Sequence, residues 1–320
     1  MLQFIQEDFI SEKSISLYLL RLDLIHEHIS GNKWFKLKYN IEEMQKLKCE
    51  TLLTFGGAYS NHIAATAYAG KINHIKTIGI IRGEEYLPLN PTLQFAKECG
   101  MQLHYISREQ YKQKNGVTFL QNVKKQFGNF FLVPEGGANE LGFKGCKEII
   151  NEINIPFNYI TCACGTGTTL AGIIASLNKN QHAIGFPVLK GGDFLKEDIK
   201  TMIHNWKEQK NDHSSQKKNK HSLSSFDLAH DNFGEGWGEV AWHLETHYHF
   251  GGYAKITKNL IEFIRNFKLK HQIPLDPIYT GKMMYGLYDL IQNNYFEKNS
   301  VIIAIHTGGL QGIQQLKIEN

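Results

Sequence analysis

The sequence has little of what marks several large classes of protein. Its 320 residues include five cysteines, an odd number. They stand at Cys49, Cys99, Cys146, Cys162 and Cys164, too few and too scattered for a disulfide framework. Proline is scarce, at seven residues. No uninterrupted apolar run approaches the roughly 18 residues of a membrane span. Net charge is small: 35 basic against 31 acidic residues leave +4. That balance gives no reason to expect nucleic acid or an anionic membrane as the main partner. The opening Met1-Leu-Gln-Phe-Ile-Gln-Glu-Asp8 carries acids where a secretion signal would be basic and then apolar. The expectation is a protein of a reducing compartment, the cytoplasm. What is present is apolar material, 42% hydrophobic and 12% aromatic, enough for a sizeable core and against wholesale disorder. The length suits two domains or one large α/β unit.

Several short apolar runs end in glycine-rich turns and lead into helix-like segments. Thr51–Phe55 runs into Gly56-Gly57, after which Ser60-Asn61 opens the small-residue helix Ile63–Ala69. Thr77–Ile81 ends at Arg82-Gly83, and Asn129–Val133 leads to Pro134-Glu-Gly-Gly137. Tyr159–Cys164 leads to Gly165-Thr-Gly-Thr-Thr169 and the helix Leu170–Ser176, while Ala183–Val188 and Val301–Ile305 have the same character. Near-continuous apolar runs separated by helix-length segments predict parallel sheet covered on both faces, with ligands gathered at the strand C-termini. Lys207 to Ser225 breaks the pattern. It is rich in Lys, Gln, Asn, His and Ser and reads as a solvated polar loop.

Candidate chemistry sits on the glycine turns. Gly165 to Thr169 follows a strand and precedes a helix, so its amides can converge on an anion. It is neither a Walker loop nor a dinucleotide fingerprint, because the required lysine and third glycine are missing. It suits a phosphate monoester, and equally a plain tight turn with a threonine cap. Ser60-Asn61-His62 is either an ordinary N-cap or a carboxylate site using the same free N–H groups. In Gly31-Asn-Lys-Trp-Phe-Lys36 two lysines stand at i and i+3. Burial would lower a lysine's pKa and make it a nucleophile toward aldehydes. His243, Glu245, His247 and His249 lack metal-site spacing. Cys162-x-Cys164 lies inside a predicted buried strand, which suits small buried thiols.

Five motifs, taken together and in order, carry a resemblance over nearly the whole chain. They are Gly31-Asn32-Lys33 with Lys36-Leu37, Gly56-Gly57 with Ser60-Asn61-His62, Gly165-Thr-Gly with Ala171-Gly172, Asp276-Pro-Ile-Tyr-Thr-Gly-Lys282, and His306-Thr-Gly-Gly309. In these the chain resembles the pyridoxal-phosphate enzymes containing 1-aminocyclopropane-1-carboxylate deaminase and D-cysteine desulfhydrase, which share the tryptophan synthase β-like fold. The resemblance implies a two-domain α/β fold with parallel or mixed sheets flanked by helices. Residues 41–146 would form a smaller domain inserted into a larger one made of 1–40 and 147–320, with a polar loop near 207–225 that has no counterpart in the family. It implies pyridoxal 5'-phosphate as cofactor, a small amino acid as substrate, no nucleic acid, membrane or metal, and a homodimer.

The resemblance also implies site roles. Lys33 would be the Schiff-base lysine and the base for the Cα proton. Asn61 would meet the cofactor's 3-hydroxyl, and Gly165, Thr166, Gly167, Thr168 and Thr169 would hold its phosphate. Ser60, with Asn61, His62 and Tyr59, would bind substrate. Tyr279 and Tyr253 would line the substrate side and relay a proton, and Thr280 and Thr307 would be neutral neighbours of the ring. Deaminases carry a glutamate after the tyrosine equivalent to Tyr279, which keeps the ring nitrogen protonated. Thr280 cannot do so, and His62 after Ser-Asn also resembles the desulfhydrase form. Tyr59 departs from the glutamine usual in the family. The expectation is therefore a lyase, D-cysteine desulfhydrase. The alternatives are 1-aminocyclopropane-1-carboxylate deaminase, a hydrolase, and a cofactor-binding protein without turnover.

Overall fold

A computed structural model describes residues 1–218 and 240–310. The chain begins β1 (Leu2–Phe4), α1 (Asp8–Glu12), β2 (Ser16–Arg21) and α2 (Asn32–Lys46). It continues with β3 (Thr51–Gly57), α3 (Asn61–Ile72), β4 (Lys76–Arg82), α4 (Pro91–Glu98), β5 (Gln102–Ile106), α5 (Arg108–Lys112), α6 (Val117–Phe127) and β6 (Phe131–Val133). Next come α7 (Glu140–Cys146), β7 (Tyr159–Cys164), α8 (Thr168–Ile174), β8 (His182–Pro187) and α9 (Leu195–Lys218). The described part closes with β9 (Ala241–Leu244), α10 (Lys258–His271), α11 (Thr280–Gln292) and β10 (Val301–His306).

Two sheets result. Strands β3–β6, contiguous in sequence, form a four-stranded sheet of order β5-β4-β3-β6, and both chain ends build a six-stranded sheet of order β1-β2-β10-β7-β8-β9. Every pairing is parallel except β1 with β2. The α/β class and the runs read as buried strands agree with this.

The large sheet is apolar on both faces, as parallel sheets covered by helices require. Along β10, Ile302 and Ala304 pack with α10 and α11, whereas Ile303 and Ile305 pack with α8 and α9. The polar tract near 207–225 needs correcting in its first part, because α9 continues through it to Lys218. Leu195, Ile199, Met202, Ile203 and Trp206 recur at helical spacing and pack on the core, so the anchored half of α9 carries the polar half forward. The remainder of the tract lies outside the described residues.

One close crossing fixes the helix that later proves central. A Cβ built on Gly145 in α7 would lie 1.9 Å from the Phe35 carbonyl oxygen in α2, so the two backbones meet where only glycine fits. Gly145→Ala forces them apart. It should lower stability by about 2 kcal/mol or more, read as a fall in the urea midpoint; an unchanged midpoint would refute the crossing.

Candidate active site

The C-terminal ends of the parallel strands in both sheets border a cavity of about 810 Å³, the position at which open α/β sheets bind ligands. Its wall on the α2 side is set by Gly31. That residue has φ +67°, and a Cβ there would sit 1.9 Å from the Thr307 carbonyl oxygen. Glycine thus lets the turn after β10 lie against the start of α2, and Asn32 N donates to Thr307 O at 3.2 Å. Asn32, Lys33 and Lys36 consequently line the cavity, as do Thr307 and Gly308.

Lys33 donates from Nζ to Asn32 Oδ1 at 2.7 Å, and Asn32 Nδ2 donates to Thr169 Oγ1 at 2.8 Å. Lys36, one turn on and 3% exposed, donates to the Gly136 carbonyl at 3.0 Å and to Thr166 Oγ1 at 3.5 Å. Neither amine has a carboxylate within ion-pair distance among the described residues. Burial, reinforced by the like charge of Lys36, pulls the Lys33 ammonium from 10.5 down to about 7. Burial also lowers the pKa of Lys36.

Ser60 is the N-cap of α3, and its Oγ accepts from Ile63 N at 3.3 Å. The capping reading therefore holds, and Ser60, Asn61 and His62 also line the cavity. His62 is 2% exposed, and its Nε2 lies 2.8 Å from Thr54 Oγ1. The Thr54 hydroxyl spends its proton on Val133 O at 2.8 Å, so His62 must donate from Nε2. Its Nδ1 is then a bare acceptor, buried and without a partner, as is Asn61 Oδ1. Burial and the two lysines hold His62 well below its ordinary pKa, and neutral.

On the other side, the Tyr279 ring packs against Gly165, where a Cβ would lie 3.2 Å from Tyr279 Cε1. Tyr253 and Tyr279 meet edge to face at 6.2 Å. Burial and contact between their hydroxyls raise the Tyr279 pKa well above that of a free phenol. Gly165, Thr166, Gly167 and Thr169 form the next stretch of wall. Gly167, at φ +74°, starts α8 with no side-chain cap on its first amides.

Three expected contacts fall away from the cavity. Thr280 is fully buried at the start of α11, where its hydroxyl donates to Asp276 Oδ2 at 2.5 Å and accepts from Asp276 N at 3.0 Å. Asp276 also takes the backbone N–H groups of Ile278, Tyr279 and Thr280, so Thr280 serves the helix cap. Tyr59, 53% exposed, sits in the turn closed by Ser60 N to Gly57 O and does not line the cavity. Thr168 is fully buried with its Oγ1 3.1 Å from Thr166 Oγ1. Conversely, Asn32, Lys36, Arg82 and Glu135 line the cavity without having been assigned roles from sequence. Among the described residues no group of histidines, cysteines or acids could hold a metal, and no helix is long and apolar enough to cross a membrane.

The residues present fit pyridoxal 5'-phosphate. A partly neutral amine stands ready for an aldehyde, Asn61 Oδ1 is buried and unpartnered, and Lys36 with the uncapped turn from Gly165 to Thr169 offers an anion site. With a pKa of about 7, Lys33 becomes neutral, and so nucleophilic, above pH 7 rather than above 10. Borohydride trapping of a small aldehyde on Lys33 should reach half its plateau rate near pH 7. In Lys36→Met that midpoint should move upward, because the like charge is gone. A wild-type rate still climbing at pH 10 would contradict the burial argument.

Comparison with known proteins places the chain. The family of pyridoxal-phosphate dependent enzymes matches residues 7–308. A candidate 1-aminocyclopropane-1-carboxylate deaminase of Pyrococcus furiosus is 30% identical over 308 residues, 92% of this chain and 85% of that protein. The bifunctional D-cysteine desulfhydrase/1-aminocyclopropane-1-carboxylate deaminase of Arabidopsis thaliana mitochondria is 27% identical, over 93% of this chain and 73% of that protein. The crystal structure of a homologue of 1-aminocyclopropane-1-carboxylate deaminase superposes with a TM-score of 0.77 at 26% identity, covering 99% of this chain and 93% of the other. A lysine with a lowered pKa and a glycine turn across the cavity suit such a relationship, and the chain belongs to the pyridoxal-phosphate dependent enzymes, with pyridoxal 5'-phosphate as its cofactor.

Proposed function

We propose that the chain is a lyase of small amino acids, acting as a D-cysteine desulfhydrase that releases sulfide, pyruvate and ammonia. What carries this choice is the resemblance at Thr280, a neutral residue where the deaminases of the family carry an acid, here buried with its hydroxyl spent on Asp276. The bifunctional Arabidopsis relative supports ring-opening deamination, to 2-oxobutyrate and ammonia, as a second reading.

When bound, the cofactor supplies an electron sink that makes the substrate's Cα proton acidic. The rest falls to the protein. Lys33 takes the Cα proton, its amine aimed by Asn32 Oδ1 and neutral near physiological pH. Ser60 and the first-turn amides of α3 hold the α-carboxylate at the positive end of a twelve-residue helix. Asn61, whose Oδ1 is buried and unpartnered, would meet the cofactor's 3-hydroxyl. Lys36 and the turn from Gly165 to Thr169 would hold its phosphate. Thr307, at the Gly31 contact, would be a neutral neighbour of its ring. The Tyr253–Tyr279 pair, kept as neutral phenols by their raised pKa values, lines the substrate side and offers hydrogen bonds to the departing hydrosulfide.

Residues 41–146, which contain β3–β6, form a smaller domain inserted into the larger one in this reading. A homodimer belongs to it on the strength of the family resemblance, and the cytoplasm on the few, scattered cysteines.

Purified protein with cofactor should release sulfide from D-cysteine. Lys33→Ala should lower that rate about a thousandfold or more and lose the borohydride-sensitive visible absorbance. Faster release of 2-oxobutyrate from 1-aminocyclopropane-1-carboxylate than of sulfide from D-cysteine would decide for the second reading. Bound cofactor with no product from either would overturn both.

A further inference from the structure

The wall beyond Ser60 and Tyr253 carries charge that neither D-cysteine nor a cyclopropane amino acid uses. Arg82 ends β4, paired in register with Gly57 of β3. A Cβ built on Gly57 would lie 3.5 Å from Arg82 Nη2, so the guanidinium lies over the glycine turn that leads into Ser60. Both Gly57 and Arg82 line the cavity, and the charge of Arg82 is felt at the Tyr253 hydroxyl. The guanidinium therefore stands on the β3–β4 wall of the cavity, beside the turn that leads to Ser60.

Its neighbours are settled among themselves. Lys114 pairs with Glu135 at 3.3 Å, and both line the cavity. The ring of Tyr111, 3% exposed, has the Lys114 amine 4.9 Å from its centroid and the Arg82 guanidinium 5.7 Å from it. Glu135 is taken by Lys114, and no carboxylate lies within ion-pair distance of Arg82 among the described residues. Arg82 is exposed at the end of β4, its guanidinium beside the Tyr111 ring, so its N–H groups are open to an anion in the cavity.

Resting on the cofactor-binding cavity of the lyase reading above and going beyond its substrate, we infer that Arg82 binds a second anionic group, carried on an amino acid's side chain, so that the site also accepts acidic amino acids and binds them more tightly than neutral ones of similar size. The α-carboxylate already has the capped N-terminus of α3, so the anion at Arg82 is the side chain's.

The test is titration of the cofactor-loaded enzyme with aspartate and with alanine, both enantiomers of each, followed through the cofactor absorbance. Neither amino acid carries a good leaving group, so the readout is binding and needs no turnover. Aspartate of the accepted hand should bind about tenfold or more tightly than alanine, the loss expected when a charged hydrogen-bond partner is missing. Arg82→Gln should erase that difference while leaving alanine binding nearly unchanged, and Arg82→Lys should restore part of it. Equal weakening of aspartate and alanine in Arg82→Gln would overturn the inference and assign the guanidinium to the α-carboxylate. Equal affinity in the wild type would also overturn it. Absence of sulfide from D-cysteine with the aspartate preference intact would strike the desulfhydrase reading and leave this one standing.

Discussion

Two lysine amines buried one helical turn apart, with no carboxylate among the described residues to pair with either, are the constraint around which the site is built. Burying one ammonium is costly and burying two side by side is more so, and the structure meets this by letting Lys33 give up its proton. The arrangement has a stability signature. In the unfolded chain Lys33 titrates near 10.5 and in the folded chain near 7. The cost is therefore fully present below pH 7 and fades as pH rises toward 10.5, where the unfolded chain also loses its proton. Catalytic readiness and reduced stability at neutral pH are one property of the same amine.

Keeping that amine in place takes contributions from distant parts of the chain. Gly31 lets the turn after β10 close on α2, Gly145 lets α7 pack on α2 at backbone distance, and Asn32 links the Lys33 amine to Thr169 beside the glycine turn. The two sheets supply opposite walls. The four-stranded sheet brings Gly57, Arg82 and the start of α3, and the six-stranded sheet brings Gly165 to Thr169 and Thr307. Tyr279, anchored by Asp276 at the head of α11, faces the α2 side across the cavity.

Much of this was legible in the sequence because strand ends in a parallel sheet are marked by glycine turns, and the turns carry the chemistry. The runs at Thr51, Thr77, Tyr159, Ala183 and Val301 became β3, β4, β7, β8 and β10. The short edge strands β1 and β9 were not legible, since three or four residues at a sheet edge carry too little periodicity. The helix through Lys218 was hidden because its polar half shows no apolar stripe, and only Trp206 and the residues before it point to a helix. Thr280 and Tyr59 carried motif positions without their surroundings: the pull of Asp276 on one hydroxyl and the outward turn at the other appear only in three dimensions. Asn32 and Lys36 stood within a recognised motif, but their roles depend on Thr169 and Gly136, more than 90 residues away in sequence. Arg82 had only its place at a strand's C-terminal end to recommend it.

We infer that Lys33, its pKa lowered to about 7 and its amine held by Asn32, is the lysine that bonds the cofactor, and not the more deeply buried Lys36, whose amine is taken by the Gly136 carbonyl. The direct measurement is borohydride reduction of the cofactor-loaded protein, tryptic digestion and mass mapping. Modification at Lys33 blocks cleavage there and leaves a peptide running from Leu22 to Lys36 that carries the cofactor's mass. The same mass on a peptide beginning at Trp34, which requires free Lys33 and modified Lys36, would contradict the account.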